Sequence, residues 1–525
     1  MQRMEHALPP LIRALLEPQR YPGAGQRVDL VQTHISWVLL SGDLAYKIKK
    51  PVRLPFLDFS TLEQRRLCCL EELRLNRRFA PDIYLDVVPL FDTAQGPAFS
   101  GSGSPIEYAV KMRRFDEAGR LDRLCKRGAL RSAHLSDLAD ALVAFHAAAA
   151  PAPADSGFGS ASEIRDQALE NFQELLRLLP GAGMHGRLAA LRGWTETQCR
   201  LLGPLMAARQ REGQVRECHG DLHLANLVLI DGRVRMFDCI EFSPALRWID
   251  VASELAFTYV DLLEHGRSGL ANWLVNEVWS RNGDYQAARL LRFYAVYRAL
   301  VRAKVAAIRS DQTSQADGAA AAYVALAEGL VAPPALRLVI THGLSGCGKT
   351  RASSQLLHDG HQAGCVRLRA DVERKRLYGL SGSARSGSGL DAGIYAAAAH
   401  DRTYAHLRET AAMLLDAGWS VLVDASFLRS ADRSEFRALA RRSGAAFAIL
   451  APHATQRQLR ERVRLRAERG RDASEATLEV LARQRQMLEP LQPDELPFVI
   501  NQPEGVTPCA SDALKKSRTT NTASG

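Results

Sequence analysis

The sequence predicts an α+β domain of two lobes, followed by an α/β domain with a mostly parallel sheet. Three observations predict it. Strand-like segments cluster near the start, helical patterns dominate from 130 onward, and strand alternates with helix over 336–502. The 525 residues suit two to four domains at ~100–200 residues each. With 46% hydrophobic and 24% charged residues, wholesale disorder, collagen-like repeats and a small disulfide scaffold are excluded.

In chain order, the strand-like segments are WVLL (37–40), LAYKI (44–48), DVVPL (86–90) and EYAVKM (107–112), with a helix pattern at 61–79 among them. PAPADSGFGS (151–160) reads as a loop inside the domain, and LVLI (227–230) and VRMFD (234–238) as short strands among helices. A Ser/Gln/Asp/Gly stretch and APPA bracket an Ala-rich helix over 310–336. The domains are therefore expected at 1–330 and 331–502. The polar tail, 503–525, is expected to be disordered. In the second domain RLVIT, VRLRA, SVLVD, AFAIL and FVI alternate with helices.

No apolar run reaches the ~18–20 residues of a membrane span, and the opening MQRMEHALPPLIRALLEPQR lacks a signal-peptide layout. A cytoplasmic protein without a membrane partner is expected. The nine cysteines show no CxxC pairing, so reduced thiols are expected and zinc is not. The net charge of +10 permits a polyanionic partner. Only ten of the 68 basic side chains are lysines, however, and the arginines are spread along the whole chain, which reads as compositional bias. Against that scarcity Lys47, Lys49 and Lys50 fall within four residues, and Lys349 stands almost alone.

The first chemical constellation is His219-Gly220-Asp221-Leu222-His223-Leu224-Ala225-Asn226, with Asp238 twelve residues further on after an apolar strand. Phosphoryl transfer needs a carboxylate to orient an acceptor hydroxyl, and oxygen ligands for Mg²⁺. Asp221 suits the first role, Asn226 and Asp238 the second. The plainer reading is a polar loop that caps its own backbone. Upstream, Lys47 and Lys49 share one strand face, and Glu71 or Glu72 in the next helix can pair with either; Lys47 with Glu72 is the favoured pair.

The second constellation is Gly343-Leu344-Ser345-Gly346-Cys347-Gly348-Lys349-Thr350, GxxxxGK[ST] between a strand and a helix. Such glycines let backbone N–H groups close on phosphate oxygens at a helix N-terminus. Lys349 would reach the β/γ-phosphates, and the Thr350 hydroxyl would ligate Mg²⁺. Asp371 and Arg374 form a DxxR placed at a strand C-terminus, suited to an acceptor hydroxyl and a phosphate. An N-capping Asp with a helix-face Arg is the plainer alternative. Asp424 ends SVLVD and suits a Mg²⁺-directed carboxylate. Arg462 and Arg466 share a helix face in a segment that could close as a lid; a solvated helix explains them equally well.

HGDLHLAN resembles the catalytic loop of aminoglycoside phosphotransferases and related small-molecule kinases of protein-kinase fold. That resemblance implies Asp238 as the second metal-binding Asp and Asp250 as a support for the loop. The glycine-rich phosphate-covering loop of such kinases is missing, and THISWVLLSGD stands in its place. GLSGCGKT, DxxR, VLVDASF and the Arg-rich segment resemble small P-loop kinases of the polynucleotide-kinase, gluconate-kinase and zeta-toxin-like type. The joint order, with AYKIKKPVRLPFLDFSTLEQRR and LRLNRRFAPDIYLDVVPL, resembles the bacterial bifunctional aminoglycoside phosphotransferase/ATP-binding protein family over about 30–500.

The resemblance implies a protein-kinase-like domain, a P-loop NTPase domain, and use of ATP and Mg²⁺ on a small-molecule or nucleic-acid hydroxyl. Aminoglycoside sites tend to be acidic, and the helical region 160–310 has Glu163, Asp166, Glu170 and Glu174 but no dense cluster of acids beyond them. The leading reading is a phosphotransferase with two nucleotide sites. A nucleotide-responsive regulator with a degenerate first domain is the alternative from another class. A nucleic-acid 5′-hydroxyl kinase is the third, and salt-sensitive RNA or DNA binding would distinguish it.

Overall fold

The computed structural model describes residues 8–21, 27–54, 57–313, 318–332, 335–359, 364–382, 384–389, 392–469 and 473–500. The tail 503–525 lies outside them. Two compact units are present. One runs to Pro334 and includes the short pieces 357–366 and 417–419; the other holds the rest of the chain from Ala335. No described helix is long and apolar enough to cross a membrane.

The first unit opens with an antiparallel five-stranded sheet. Its strands are β1 (Val28–Gln32), β2 (Ser36–Ser41), β3 (Leu44–Lys49), β4 (Tyr84–Leu90) and β5 (Glu107–Arg113), in the order β1-β2-β3-β5-β4. Alternation explains β3: Tyr46 and Ile48 go to one core, while Lys47 and Lys49 share the other face. Ile48 is fully buried with Trp37, Leu39 and Ala109 around it. Helix α1 (Leu62–Asn76) starts at a reciprocal cap, in which the Thr61 hydroxyl accepts from the Gln64 amide and the Gln64 side chain accepts from the Thr61 amide. It packs Cys69 and Leu73 against Ile83, Tyr84 and Val110, which turns Glu72 towards the sheet.

The strands expected of the first unit are each present; the four of the five-stranded sheet run a residue or two beyond the expected segments, because flanking residues still pair in the ladder, and LVLI forms as read at Leu227–Ile230. VRMFD is the exception. The strand stops at Met236, since Asp238 takes a left-handed φ of +65° that no ladder residue adopts.

A helical lobe follows, with helices Ser132–Ala148, Ala161–Leu178, Ala182–Arg211, α2 (Val251–Glu264), Ser268–Asn282, Ala288–Thr313 and Ala319–Val331. The hairpin β6 (Leu227–Ile230) and β7 (Arg233–Met236) lies between them, as does the pair Val215–Glu217 with Trp248–Asp250. Every residue of α2 from Val251 to Leu262 is buried, so its polar side chains must find partners inside the lobe.

The second unit is built on β8 (Arg337–Thr341), β9 (Cys365–Arg369), β10 (Ser420–Asp424), β11 (Ala446–Leu450) and β12 (Val499–Ile500). Their order is β9-β10-β8-β11-β12, with parallel pairing of β8 to β10, β8 to β11 and β11 to β12. Helices α3 (Lys349–His358), α4 (Ala370–Leu377), α5 (Ala397–Asp416), α6 (Gln456–Arg469) and α7 (Leu478–Met487) accompany it. Val339, Ile340, Val421, Leu422 and Val423 are at most 1% exposed, as sheet strands covered on both faces require. The first βα turn leaves the central strand β8, where the strand order reverses, and such turns hold ligands.

Truncating Ile48 to Ala is expected to cost the first unit about 2–5 kcal/mol, read as a lower urea midpoint of its unfolding transition.

Candidate functional sites

In the first unit β3, α1 and the segment after β7 converge on one buried network. Lys47 donates to Glu72 at 2.8 Å and also contacts Asp238; Lys49 donates to Glu72 at 2.7 Å and also contacts Glu241. One carboxylate thus bridges two lysines two residues apart on the strand, and each lysine reaches a further acid. Lys49 and Glu72 are fully buried, and Lys47 is 8% exposed, so these lysines are not a solvated strand end. Glu71 turns away to Arg74 and Arg247. Burial opposes the charge on both lysines. At Lys47 it is outweighed by Asp238, Glu72 and Glu241, and at Lys49 by Glu241 and Glu72, so both ammonium groups stay above the ordinary lysine range. Burial likewise works against the Asp238 carboxylate, but Lys47 and Lys49 hold it below its usual range.

The loop Cys218–Asn226 is fixed from α2. Glu254 accepts the amides of His219 (2.7 Å) and Gly220 (3.0 Å), Thr258 donates to the Leu222 carbonyl, and Asp261 accepts the Leu224 amide at 2.9 Å. These three side chains recur at i, i+4 and i+7, one face of the helix. Gly220 is required: its φ is +86°, and a Cβ there would sit 2.8 Å from the Leu246 carbonyl oxygen. The resemblance implied Asp250 as the support of this loop. Its carboxylate is instead taken by Arg209 at 2.7 and 2.9 Å, because both groups are 2% exposed and each needs the other's charge.

His219 hydrogen-bonds the Phe237 carbonyl at 2.8 Å, which ties this loop to the segment carrying Asp238. Asn226 donates its side-chain amide to the Asp221 carbonyl at 3.0 Å, leaving its side-chain oxygen as a donor atom for a cation. Asp221 lies 3.3 Å from His223. Burial would raise its pKa, but His223, Arg302 and His219 outweigh that and keep it below the carboxylate range. The Asp238 amide donates to the Tyr84 hydroxyl at 2.9 Å, which helps hold the left-handed turn. Where a glycine-rich loop would cover phosphates, β1 and β2 meet in the tight turn Thr33–Ser36, closed by the Thr33 hydroxyl on the Ser36 amide at 2.9 Å.

In the second unit Gly343–Thr350 wraps from β8 into α3. Gly346 has φ +87°, and a Cβ there would lie 2.9 Å from the Leu459 carbonyl oxygen. Lys349 donates to the carbonyls of Gly343 (2.8 Å) and Leu344 (2.9 Å), and the Ser345 amide donates to Gln484 of α7 at 2.8 Å. Cys347 packs against Leu459, Val463 and Leu481, so α6 and α7 are seated on the loop. From α6, Arg462 donates to the Gly346 carbonyl at 3.2 Å, while a buried nitrogen of Arg466 has no hydrogen-bond partner.

Asp424 accepts from Ser353 at 3.2 Å, and no hydrogen bond between Asp424 and Thr350 is found among the described residues. Arg367 of β9 holds Ser353 and Ser354 at 3.2 and 2.7 Å. Asp371 stands in the first turn of α4, one residue past its start, because β9 passes directly into the helix. It pairs with Arg374 at 3.2 Å; Arg374 stacks over Tyr395 at 5.2 Å, and one of its buried nitrogens has no hydrogen-bond partner among the described residues.

The sequence reading did not single out Glu241, Glu254, Thr258, Asp261, Arg367 or Gln484. The α2 trio had a signal, polar residues at helical spacing in an otherwise apolar stretch. Glu241, Arg367 and Gln484 had none, since each acts through a partner distant in sequence.

Fold and site together define a chain with a kinase-like α+β unit and a P-loop α/β unit. Comparison with known proteins finds a family match within the second unit and similarities to whole chains and solved structures. Residues 338–491 match the family model described as an AAA domain. An uncharacterized protein of Mycobacterium tuberculosis (strain H37Rv) is 29% identical over 456 residues, 87% of this chain and 89% of that protein; an uncharacterized protein of Mycobacterium bovis matches equally. Among solved structures, a choline/ethanolamine kinase family protein from Mesorhizobium loti is similar over 62% of this chain and 95% of its own, at 14% identity and TM-score 0.40. The Mycobacterium tuberculosis APS kinase in complex with AMPPNP and APS is similar over 26% of this chain and 76% of its own, at 23% identity and TM-score 0.20.

Two buried imidazoles set a pH dependence. Burial pushes His219 down to about 4 and His146 to about 3. Both rings gain protons more readily when unfolded, so the first unit is expected to lose stability as pH falls from about 6.5 towards 4. Glu254, raised by burial to about 7, acts in the opposite sense at mildly acidic pH. The imidazole contribution is therefore read as the difference in urea midpoint between wild type and the His146→Gln/His219→Gln double variant, a difference that should shrink on acidification.

Proposed function

We propose that this protein is an ATP- and Mg²⁺-dependent phosphotransferase with two nucleotide-binding domains, acting on a hydroxyl of its acceptor. The observation that carries the reading is the joining of Lys47, Glu72 and Asp238 in one buried network, itself tied through His219 and Phe237 to the loop bearing Asp221 and Asn226. Four segments of the chain would supply the cation, its orienting acid, two oxygen donors for a metal and a carboxylate for the acceptor.

Lys47 would hold the α/β-phosphates, with Glu72 fixing its position. Asn226 and Asp238 offer the hard oxygen donors that Mg²⁺ prefers. When bound, the metal would neutralise charge on the phosphates. Asp221 is held ionised by His223, which suits it to accept the hydrogen bond of an acceptor hydroxyl and orient it. A weakly basic carboxylate is sufficient, because a loose transition state asks chiefly for positioning. In the second domain Gly343–Gly348 would present amides to phosphate, Lys349 would leave its two carbonyls for the β/γ-phosphates, and Thr350 with Asp424 would hold Mg²⁺. Asp371 and Arg374 would receive the acceptor, and Arg462 and Arg466 would approach from α6.

One observation favours a second reading, a nucleotide-responsive regulator. The turn Thr33–Ser36 contains no glycine, so its backbone cannot close over phosphates as a glycine-rich loop does.

ADP release from ATP by wild type, Asp221→Ala and Lys349→Ala tests the proposal. Two independent phosphotransferase sites predict a partial loss in each single variant, and coupled sites a complete loss in both. Loss with Lys349→Ala alone would overturn the catalytic role of the first domain and support the regulator.

A further inference from the structure

We propose that His146, Cys218 and Glu254 form a binding site for one divalent transition-metal ion of the zinc class, behind the Cys218–Asn226 loop. The three residues come from separate elements: the last turn of helix Ser132–Ala148, the residue following strand Val215–Glu217, and α2. The His146 and Cys218 donor atoms and a Glu254 carboxylate oxygen all lie within 4.8 Å of one another, and all three residues are buried. None belongs to the proposed Mg²⁺ ligands.

A buried polar atom ordinarily has a hydrogen-bond partner. His146 Nε2 has none among the described residues. The ring is kept neutral by burial, so a lone pair is available in an enclosed space that offers it no donor. Glu254 accepts two amides, yet each of its oxygens retains a further lone pair. The Cys218 thiol donates to the Ile249 carbonyl at 3.5 Å, a weak bond whose proton a metal would replace. One cation would take the unpartnered His146 lone pair together with the spare lone pairs of Glu254 and the Cys218 sulfur.

The donor set selects its class. Thiolate, imidazole and carboxylate together suit zinc or cobalt, whereas Mg²⁺ and Ca²⁺ require oxygen ligands. Binding forms bonds to Sγ, Nε2 and a carboxylate oxygen, and the Cys218 proton leaves to solvent; nothing is oxidised or reduced. The resulting thiolate and carboxylate balance the two positive charges. A bound ion would also fix Glu254, and through it the His219 and Gly220 amides that place Asp221.

The test uses the full chain, stripped with a chelator and titrated with cobalt(II) in the absence of nucleotide. The expected result is uptake of one equivalent with thiolate-to-cobalt absorption in the near ultraviolet. Cys218→Ser should lose that absorption, and His146→Gln should weaken uptake by more than about tenfold. No uptake, or a spectrum unchanged by Cys218→Ser, overturns the proposal. Should a variant fail to fold, X-ray absorption of the zinc-loaded wild type decides: one sulfur at about 2.3 Å with nitrogen and oxygen near about 2.0 Å is expected, and no sulfur, or more than one, overturns it.

Discussion

Glu72 is the constraint on which the first unit's site depends. A carboxylate with no solvent exposure is unfavourable in a protein interior unless neighbouring charge and hydrogen bonds replace its water. Two lysines do so here, and each is buried in turn, so each requires a second acid. The network therefore cannot stop at the sheet and helix. It extends to Asp238 and Glu241, and so dictates where the segment after β7 must lie. Removing one member of such a set leaves an uncompensated buried charge, typically at a cost of about 3–5 kcal/mol. The same argument explains why two alternate strand positions are lysines in a chain that otherwise uses arginine. A compact ammonium can share one carboxylate with a neighbour, whereas a planar guanidinium claims both oxygens.

The second constraint is the burial of α2. Its apolar residues pack all round, which forces Glu254, Thr258 and Asp261 to be satisfied inside the lobe. The neighbouring loop has free amides and a carbonyl to offer, since Gly220 is left-handed and the chain there is neither helix nor ladder. Helix and loop thus complete each other's hydrogen bonding. The position of Asp221 is consequently set by packing of the lobe together with the loop's own Gly220, His219 and Asn226.

The fold was legible where periodicity and motif spoke locally. The alternation in LAYKIKK, the run SVLVD and the glycines of GLSGCGKT each determine their own backbone, and those elements formed as read. What escaped was whatever depends on a partner distant in the chain. Lys47 and Lys49 are indistinguishable by spacing, and in three dimensions both engage Glu72, so the choice between them was not a real alternative. Asp250 resembled a loop support by position. Arg209, carried by a helix some forty residues earlier, takes it instead, and no local pattern could reveal that competition. Glu254 was within reach, because a buried-helix acid at i relative to Thr258 at i+4 and Asp261 at i+7 marks a polar stripe.

On the proposed reading, the two candidate sites would recognise phosphate by different physics. In the P-loop the positive field would come from backbone N–H groups at glycines with left-handed dihedrals, and Lys349 rests on carbonyls it could leave at little cost, because phosphate oxygens would take their place. Gln484 likewise occupies the Ser345 amide with an oxygen, the atom type a phosphate would present in its place. In the first unit the lysines are neutralised by acids within the fold, so a phosphate ligand would have to compete with Glu72 and Asp238 for Lys47. Selectivity would follow from that competition. Only a ligand carrying enough negative charge, together with a cation to satisfy Asp238, can draw Lys47 from its acids without leaving a buried carboxylate exposed to the interior; an isolated neutral acceptor cannot.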